Sequence, residues 1–232
     1  MKSNSYVLIR SFMKRVNLIW TIILFCLIQA EAKKIPGYII SKSLDTGKKD
    51  TTYVTFNIPV SRLTGDVVYF EIQNMVIYYD SLGREVKLRP MGVKEISFVH
   101  NEEKIRMLSR ENHLGVIGGD FLTNTSVFLK LVITGKVRLF KYYDVKIVNR
   151  SSGGYYDGVS YIGGGTYQTA KVIEKYVMQK SGGVITKIGK DSFRMDMLLL
   201  NDCETIMQKI DDGSYRYSEV EMVIYEYNRI CK

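Results

Sequence analysis

The stretch VFLKLVITGKVRLFKYY, residues 127–143, decides the fold. β-Branched and aromatic residues fill both halves, and Thr134, Gly135 and Lys136 between them form a typical turn sequence. The pattern predicts two antiparallel strands joined by a tight turn. Because such a hairpin has an apolar face that must be buried, the rest of the chain has to supply further strands or helices to cover it.

Further strands are predicted on both sides of this hairpin. Three more hairpins are expected, at residues 75–90, at 93–110 with a turn at Asn101-Glu102, and at 171–189 with a turn at Ser181-Gly182-Gly183. Residues 53–60 and 67–72 also alternate between apolar and polar side chains, as strands do. Regular strands with short polar turns favour an antiparallel sheet closed as a sandwich or a barrel.

Beyond residue 190 the apolar spacing becomes helical, which predicts a β-rich domain over 33–190 and a helical tail over 191–232. The first tail helix is expected to follow Asp202 as its N-cap, and its apolar stripe is Cys203, Ile206, Met207 and Ile210. The second is expected to begin with a capping box of Ser218 and Glu221, and its apolar face is Val220, Val223, Ile224, Tyr227 and Cys231. The predicted class is α+β: a mainly antiparallel β sandwich or barrel with a C-terminal helical hairpin docked on it.

The N-terminus has the three parts of a secretory signal peptide, expected to cover residues 1–32. A basic leader contains Lys2, Arg10, Lys14 and Arg15, an apolar run extends from residue 18 to residue 28, and Ala30-Glu31-Ala32 provides a small-residue cleavage site. An uncleaved anchor is the alternative, although a span needs about 20 apolar residues. Cleavage predicts an exported protein, located in the periplasm, on the outer-membrane surface or outside the cell, with no membrane span after signal cleavage.

The net charge of +9 comes from 33 Lys and Arg against 24 Asp and Glu. Removing the leader takes away four cations and Glu31, which leaves 29 against 23, or a net charge of +6. The remaining cations are scattered along the sequence without a long basic run. The charge therefore does not indicate a nucleic-acid partner, which would call for clustered Lys and Arg.

Cleavage of the leader would remove Cys26 and leave two cysteines, Cys203 and Cys231. An exported chain meets an oxidising compartment, where an even pair usually bonds. Because a short link makes the two tail helices antiparallel, both thiols are expected at the same end of the helical hairpin. A redox or metal pair is the alternative, but the C-x-x-C spacing and further zinc ligands are missing. We predict a Cys203–Cys231 disulfide.

Residues 151–169, SSGGYYDGVSYIGGGTYQT, break the regular pattern with glycine, serine and tyrosine. Loops of this length are commonly either functional or disordered, and antibody recognition loops use the same mixture of residues. A disordered or loosely paired insertion and a recognition loop both stay open. For recognition, the candidate binding residues are Tyr155, Tyr156, Tyr161 and Tyr167.

Residues of the kinds that catalysis uses are few. The two histidines, His100 and His113, are expected at the surface, beside turns. The sequence has no G-x-S-x-G nucleophile elbow, no H-E-x-x-H zinc motif and no phosphate-binding G-x-x-x-x-G-K-[ST] loop. Carboxylate pairs for glycoside chemistry come from distant positions, and nothing in the sequence selects a pair. We therefore predict no catalytic residues, no cofactor and no metal site.

Taken as a whole, the chain resembles a group of uncharacterised exported proteins of Bacteroidetes-type bacteria. The segments that carry the resemblance are GYIISKSLDT (37–46), KEISF (94–98), IRMLSR (105–110), FLKL (128–131), RLFKYY (138–143), EKYVMQK (174–180), FRMDM (193–197), DC (202–203) and YNRIC (227–231). Glu204 stands where a proline often follows the first tail cysteine of such proteins. The resemblance implies an envelope or secreted location and brings no activity or site residues.

These observations favour a non-catalytic interaction or binding module of the cell envelope. Its partner is unknown from the sequence, with a protein or an envelope polymer as the expected class. An exported hydrolase acting on envelope polymers and a purely structural envelope component are the alternatives. A hydrolase would need a concave pocket that holds titratable groups with perturbed pKa values.

Overall fold

A computed structural model of the chain describes residues 30–42, 50–111, 126–151, 155–156, 161–162 and 166–231. Its strands are β1 (Ala30–Ser41), β2 (Thr51–Ser61), β3 (Val76–Tyr79), β4 (Glu85–Leu88), β5 (Val93–His100), β6 (Glu103–Glu111), β7 (Ser126–Ile133), β8 (Val137–Ser151), β9 (Tyr155–Tyr156), β10 (Tyr161–Ile162), β11 (Thr166–Lys180) and β12 (Thr186–Ile188). The α-helices are α1 (Tyr69–Ile72), α2 (Phe193–Asp196), α3 (Glu204–Asp211) and α4 (Val220–Ile230). Short 3₁₀ turns at Met197–Leu200 and Tyr217–Glu219 precede α3 and α4.

Ten of the strands form one antiparallel sheet, in the order β12-β11-β8-β7-β6-β5-β1-β2-β3-β4. The four predicted hairpins are confirmed as β3–β4, β5–β6, β7–β8 and β11–β12. Asn101 and Glu102 in the β5–β6 turn both have positive φ angles, 49° and 66°, as the tightest hairpin turns require. The α+β class with a mainly antiparallel sheet and a C-terminal helical region is confirmed.

The closure expected for the sheet is not found. β4 and β12 are its two edges, so the ten strands form one sheet that is not closed into a barrel. At the β12 end, helical segments supply the covering layer. One hydrophobic cluster joins β8, β11 and β12 to the tail helices, with Val137, Leu139 and Met178 beneath Ile206 and Tyr227.

A second hydrophobic cluster fills the curved half of the sheet around β1, β2, β5 and β6. Phe56 of β2 and Phe98 of β5 meet there at a ring-centroid distance of 6.0 Å, although β1 lies between their strands. Gly37 of β1 makes this approach possible. A Cβ atom at residue 37 would lie 2.7 Å from the Phe56 ring and 2.3 Å from the Ser97 carbonyl oxygen.

Helix α1 replaces a strand that the sequence predicted. Residues 67–72 alternate in hydropathy, but Val67 makes only an isolated bridge with Val60, and Tyr69–Ile72 is one turn of helix. The turn brings Gln73, which is 4% exposed, between β7 and β8. Here the Phe128 N–H donates to the Gln73 carbonyl oxygen at 2.7 Å.

The side chain of Gln73 completes this bridge. Its Nε2 donates to the Tyr143 carbonyl oxygen at 2.7 Å, and its Oε1 accepts from the Tyr143 N–H at 3.1 Å. β7 and β8 pair directly only between Lys130–Ile133 and Leu139–Lys141. Gln73 therefore supplies the backbone hydrogen bonds that are lost where these two strands diverge.

The tail folds as a helical hairpin with both predicted apolar faces buried against the sheet or against each other. Cys203 and Cys231 form the predicted disulfide, with their Cα atoms 5.7 Å apart. Both predicted caps are wrong. Asp202 does not cap α3, because its carboxylate pairs with Lys136, Lys180 and the Tyr227 hydroxyl.

A 3₁₀ turn at Tyr217–Glu219 leads into the second helix, and its N-cap is Arg216, two residues before the predicted Ser218. The Arg216 N–H donates to the Glu219 carboxylate at 2.9 Å, which takes the place of the expected Ser218–Glu221 box. The Glu221 side chain instead contacts two residues of the sheet. It accepts from the Tyr176 hydroxyl at 2.7 Å and pairs with the Lys141 ammonium at 2.9 Å.

The predicted signal peptide lies outside the described residues except for Ala30, Glu31 and Ala32, which open β1 opposite Pro59–Ser61 of β2. Cleavage after Ala32 would leave the rest of β1 to pair with β2 and β5. Within the part of the chain that the structure describes, none of the helices has the length and apolar character needed to cross a membrane.

Candidate functional site

The longest ladder of the sheet joins β8 and β11, which pair continuously from Val137–Lys180 to Ser151–Thr166. Only the first part of this ladder has other strand neighbours. The pairing of β8 with β7 ends at Lys141 of β8, and the pairing of β11 with β12 ends at Tyr176 of β11. Residues 144–151 and 166–173 are therefore paired only with each other among the described strands. We call this two-stranded segment the ribbon. Eight residues of strand extend for about 27 Å at 3.4 Å per residue.

One face of the ribbon is apolar. Val145 lies directly opposite Val172, and Ile147 lies opposite Ala170 in the same register, so all four positions share one side. Val145 and Val172 are each 44% exposed, and Ile147 is 65% exposed. β-Branched side chains on a pleated surface usually pack against another layer. Within the described part of the chain, this face has no such layer.

The opposite face of the ribbon is basic. Lys146 lies directly opposite Lys171, and both side chains are exposed. Arg150 is four residues further along β8, opposite Tyr167. Like charges directly across two strands destabilise the pair. The ribbon thus carries an unfavourable cluster of positive charge that a negatively charged neighbour would relieve.

The tyrosine-rich segment forms the outer end of the ribbon. Its strands reach further than expected, because β8 continues to Ser151 and β11 already begins at Thr166, so residues 166–169 are strand and not loop. Tyr155 and Tyr156 form β9 and Tyr161 begins β10, with Tyr156 opposite Tyr161. Tyr167 is in β11, opposite Arg150. The side chains of these four candidate residues lie outside what the structure describes.

The base of the ribbon is held firmly. Tyr143, one residue before it, stacks on Tyr69 with ring centroids 4.9 Å apart, in addition to its bonds with Gln73. Burial raises the pKa of the Tyr143 hydroxyl well above its ordinary value. Asp144 forms an ion pair with Lys175 at the first step of the ribbon. The ribbon therefore projects from a fixed base.

A polar network links the base of the ribbon to the tail. The Lys141 ammonium pairs with Glu174 at 3.0 Å and with Glu221 of α4 at 2.9 Å. Burial alone would lower the pKa of Lys141, but its hydrogen bonds to these two carboxylates raise it overall. Burial also raises the pKa of the neighbouring Tyr176 to about 12. These groups join α4 to β8 and β11.

The sequence predicted His100 at the surface, but the residue is buried. It is 8% exposed, and its Nε2 lies 2.7 Å from the Gly65 carbonyl oxygen. The ring packs at the end of β5 because the turn after β2 folds over it. His113 lies outside the described residues. Over the ranges that the structure covers, no three His, Cys, Asp or Glu side chains come together as a metal site.

Comparison of the chain with protein-family models, curated proteins and solved structures found no match. The site must therefore be interpreted from its own residues. The ribbon had a partial signal in the sequence, since Val145, Ile147 and Val172 alternate with polar residues. What the sequence did not indicate is that these residues lie beyond the end of β7 and so have no third strand beside them.

Proposed function

We propose that this chain is a non-catalytic interaction module of the cell envelope, and that it binds a protein partner through the ribbon. The observation that carries the proposal is the exposed apolar face of Val145, Ile147 and Val172, on a segment that has no other strand beside it among the described residues. Soluble proteins rarely keep contiguous apolar surface exposed without a use for it. A segment this long that adds little to the core has its main role outside the molecule.

The chemistry of the ribbon favours a protein over a lipid surface. The exposed side chains of its apolar face are Val145, Ile147 and Val172, and β-branched side chains suit the pleated surface of another sheet or strand. Interfacial membrane elements usually carry larger Leu, Phe or Trp side chains. The basic face with Lys146 and Lys171 favours a partner that presents carboxylates beside its apolar strip.

The tyrosines at the end of the ribbon extend the proposed contact. Tyrosine gives a large contact area at a low cost in side-chain entropy and is enriched where proteins meet. β9 and β10 place Tyr156 and Tyr161 opposite each other in a separate two-stranded sheet. In this proposal Tyr155, Tyr156, Tyr161 and Tyr167 complete the binding surface that Ile147 begins.

The test is capture of a partner from envelope extract by the purified chain and its variants. Ile147→Thr keeps the β-branched shape but removes an apolar contact on the ribbon. Val99→Thr makes the same kind of change at a residue that is 57% exposed on β5, and serves as the matched control. We expect Ile147→Thr to lose the captured protein and Val99→Thr to keep it, with both melting temperatures close to that of the parent chain.

A second arm addresses the tyrosines. Replacing Tyr155, Tyr156, Tyr161 and Tyr167 together by alanine should abolish capture and leave the melting temperature nearly unchanged. A large fall in the melting temperature would mean that these tyrosines stabilise the fold instead. Equal capture by the parent chain, Ile147→Thr and the tyrosine variant would refute the proposal. If no protein is captured and the parent chain binds purified peptidoglycan or lipid vesicles in a way that Ile147→Thr abolishes, the choice of partner is refuted.

Export is part of the same proposal and is tested separately. The signal peptide predicts that the cell-envelope fraction contains a chain whose N-terminus is Lys33. Fractionation followed by N-terminal sequencing measures this directly. Recovery of the full-length chain from the cytosol, with Cys203 and Cys231 reduced, would contradict it.

A further inference from the structure

A second surface lies on the sheet at the opposite end of the β8–β11 ladder from the ribbon. It is an open cleft of about 600 Å³. Residues from five strands or their ends line it, together with the turn between β11 and β12; those used below are Lys42, Lys94, Arg110, Arg138, Gln179 and Gly183. We call this surface the basic cleft. Four cations and the carboxylate of Glu111 give its lining a formal charge of +4 − 1 = +3.

We infer that the basic cleft binds an anion that carries phosphate groups, with Arg110 and Arg138 as its principal ligands. The inference does not depend on the ribbon or on the proposed protein partner. It rests on the position of four cations from distant parts of the chain around one cavity, and on the way in which Arg110 is held there.

Arg110 is fixed in place before any ligand arrives. Its Nε donates to the Gln179 Oε1 at 3.1 Å, and its Nη1 donates to the Ser109 carbonyl oxygen at 2.8 Å. The guanidinium carbon lies 5.3 Å from the centre of the Phe140 ring. These contacts use two of the five guanidinium N–H groups and set the plane of the fork. A preorganised fork of this kind matches the geometry of a phosphate or carboxylate group.

The same amide also fixes the wall of the cleft. The Gln179 Nε2 donates to the Gly183 carbonyl oxygen at 2.8 Å, so one side chain holds both the guanidinium and the β11–β12 turn. On the other side, the Lys42 N–H donates to the Gly92 carbonyl oxygen at 2.9 Å, which places Lys42 beside the start of β5 and Lys94. The four cations thus come from parts of the framework whose relative positions are set by hydrogen bonds.

Positive charge is crowded in the cleft. Arg138 pairs with Gln179 across β8 and β11 and therefore lies beside Arg110. Burial, and then the like charge of Arg138, lowers the pKa of Arg110, and Glu95 opposes this only in part. Two guanidinium groups that line the same cleft repel each other. An oxyanion between them would remove the repulsion and gain hydrogen bonds from both.

The size and charge of the cleft indicate the class of ligand. A single monovalent anion would leave most of the positive charge unneutralised. A diphosphate or a phosphate ester with two or more negative charges matches the net lining charge and occupies only part of the volume. The ligand is thus either a soluble phosphate compound or the phosphate head group of a lipid, and the experiment distinguishes these two sources.

The first experiment is calorimetric titration of the full chain with inorganic pyrophosphate at low salt. We expect saturable binding with one site per chain. Arg110→Gln/Arg138→Gln should weaken it at least about tenfold, since charge-assisted hydrogen bonds are the strong ones. Lys87→Gln/Arg89→Gln removes the same charge from exposed positions in and after β4, and should change affinity by less than about twofold.

Because Arg110 is half-buried beside Phe140, its replacement could weaken binding by disturbing the fold. A second variant, with Arg110 unchanged, separates these two effects. Lys94→Gln/Arg138→Gln changes two exposed side chains and should also weaken pyrophosphate binding, with an unchanged melting temperature. The proposal fails if the parent chain does not bind pyrophosphate, or if the cleft variants and the β4 variant lose the same affinity. The second result would mean that the anion follows overall charge.

Sedimentation with vesicles identifies the source of the phosphate group. Vesicles of phosphatidylcholine with phosphatidylglycerol should carry the parent chain down more than Arg110→Gln/Arg138→Gln if a lipid head group is the ligand. Pyrophosphate binding without vesicle binding assigns a soluble ligand. Ile147→Thr should change neither pyrophosphate affinity nor vesicle sedimentation. Failure of the ribbon proposal and failure of the cleft proposal therefore give different results.

Discussion

The hydroxyl of Tyr227 lies 2.8 Å from both carboxylate oxygens of Asp202. Tyr227 is fully buried on α4, whereas Asp202 immediately precedes the disulfide-bonded Cys203. The same carboxylate also accepts from Lys180 at 2.7 Å and from Lys136 at 3.0 Å. Asp202 therefore joins the tail to the ends of two different hairpins of the sheet.

Replacing Asp202 by Asn should destabilise the protein more at pH 7 than at pH 3. The hydrogen bonds from Lys180 and then Lys136 lower the pKa of the Asp202 carboxyl in the folded state. A depressed folded pKa contributes stability above the unfolded value of about 3.9, and this is lost as the pH falls towards the folded pKa. Urea denaturation of Asp202→Asn at both pH values measures the difference. Glu204→Gln, which removes a carboxylate at an exposed neighbouring residue, is the matched control.

Removing the disulfide should cost about 3 to 4 kcal/mol of unfolding free energy in the chain-entropy model. Cys203 and Cys231 are 28 residues apart, and the bond closes the helical hairpin at its open end. Denaturant unfolding of Cys203→Ser/Cys231→Ser against the oxidised parent chain gives the value. Reduction of the parent chain should reproduce it, and titration for two newly accessible thiols provides the check. An unchanged midpoint after reduction would contradict the expectation.

Gln73→Met should lower stability by roughly 2 to 3 kcal/mol, since it leaves buried backbone groups of Tyr143 without partners. The Gln73 side chain is the partner of both the N–H and the carbonyl oxygen of Tyr143. Gln208→Met on the exposed side of α3 makes the same substitution without such a loss, and should be nearly neutral. Hydrogen exchange of the Tyr143 amide should accelerate in Gln73→Met. A local loss of the hydrogen bonds accelerates exchange only near Tyr143, whereas a general loss of packing would accelerate it along the whole of β8.

Gly37→Ala should destabilise the curved half of the sheet by about 1 to 3 kcal/mol or more, as overpacked cores do. The added Cβ would meet the Ser97 carbonyl oxygen at 2.3 Å and the Phe56 ring at 2.7 Å. Combining Gly37→Ala with Phe56→Leu removes part of the conflict. The double variant should therefore lose less stability than the sum of the two single variants. Strict additivity in thermal unfolding would show that residue 37 and Phe56 do not compete for space.

The hairpins and the tail helices could be predicted because they depend on local patterns. Alternation around Thr134-Gly135-Lys136 requires only neighbouring residues, and the same holds for the apolar spacing from Cys203 to Ile210. Gln73 could not be predicted, since its burial depends on the divergence of β7 and β8 far along the chain. Asp202 was assigned to a local cap for the same reason: Lys136 and Lys180 reach it only in the folded sheet.

The basic cleft is a clearer case of a site that depends on contacts between distant parts of the sequence. Lys42, Lys94, Arg110 and Arg138 are scattered over about a hundred residues, so the sequence contains no basic cluster to notice. The fold brings them together, because β1, β5 and β6 are neighbours in the sheet and only β7 separates β6 from β8. A sequence shows which charged residues are consecutive. Which charged residues lie together on a sheet depends on the order of its strands.

Lys146 and Lys171 have a consequence for the behaviour of the protein at high concentration. Among the described residues, the two edges of the ribbon have no strand beside them, and unpaired edges are where sheets of different copies join and grow into fibres. Stacking two copies on this side would bring four ammonium groups together, which opposes polymerisation. That protection is electrostatic, so it weakens at about 1 M salt, where charges are screened over roughly 3 Å.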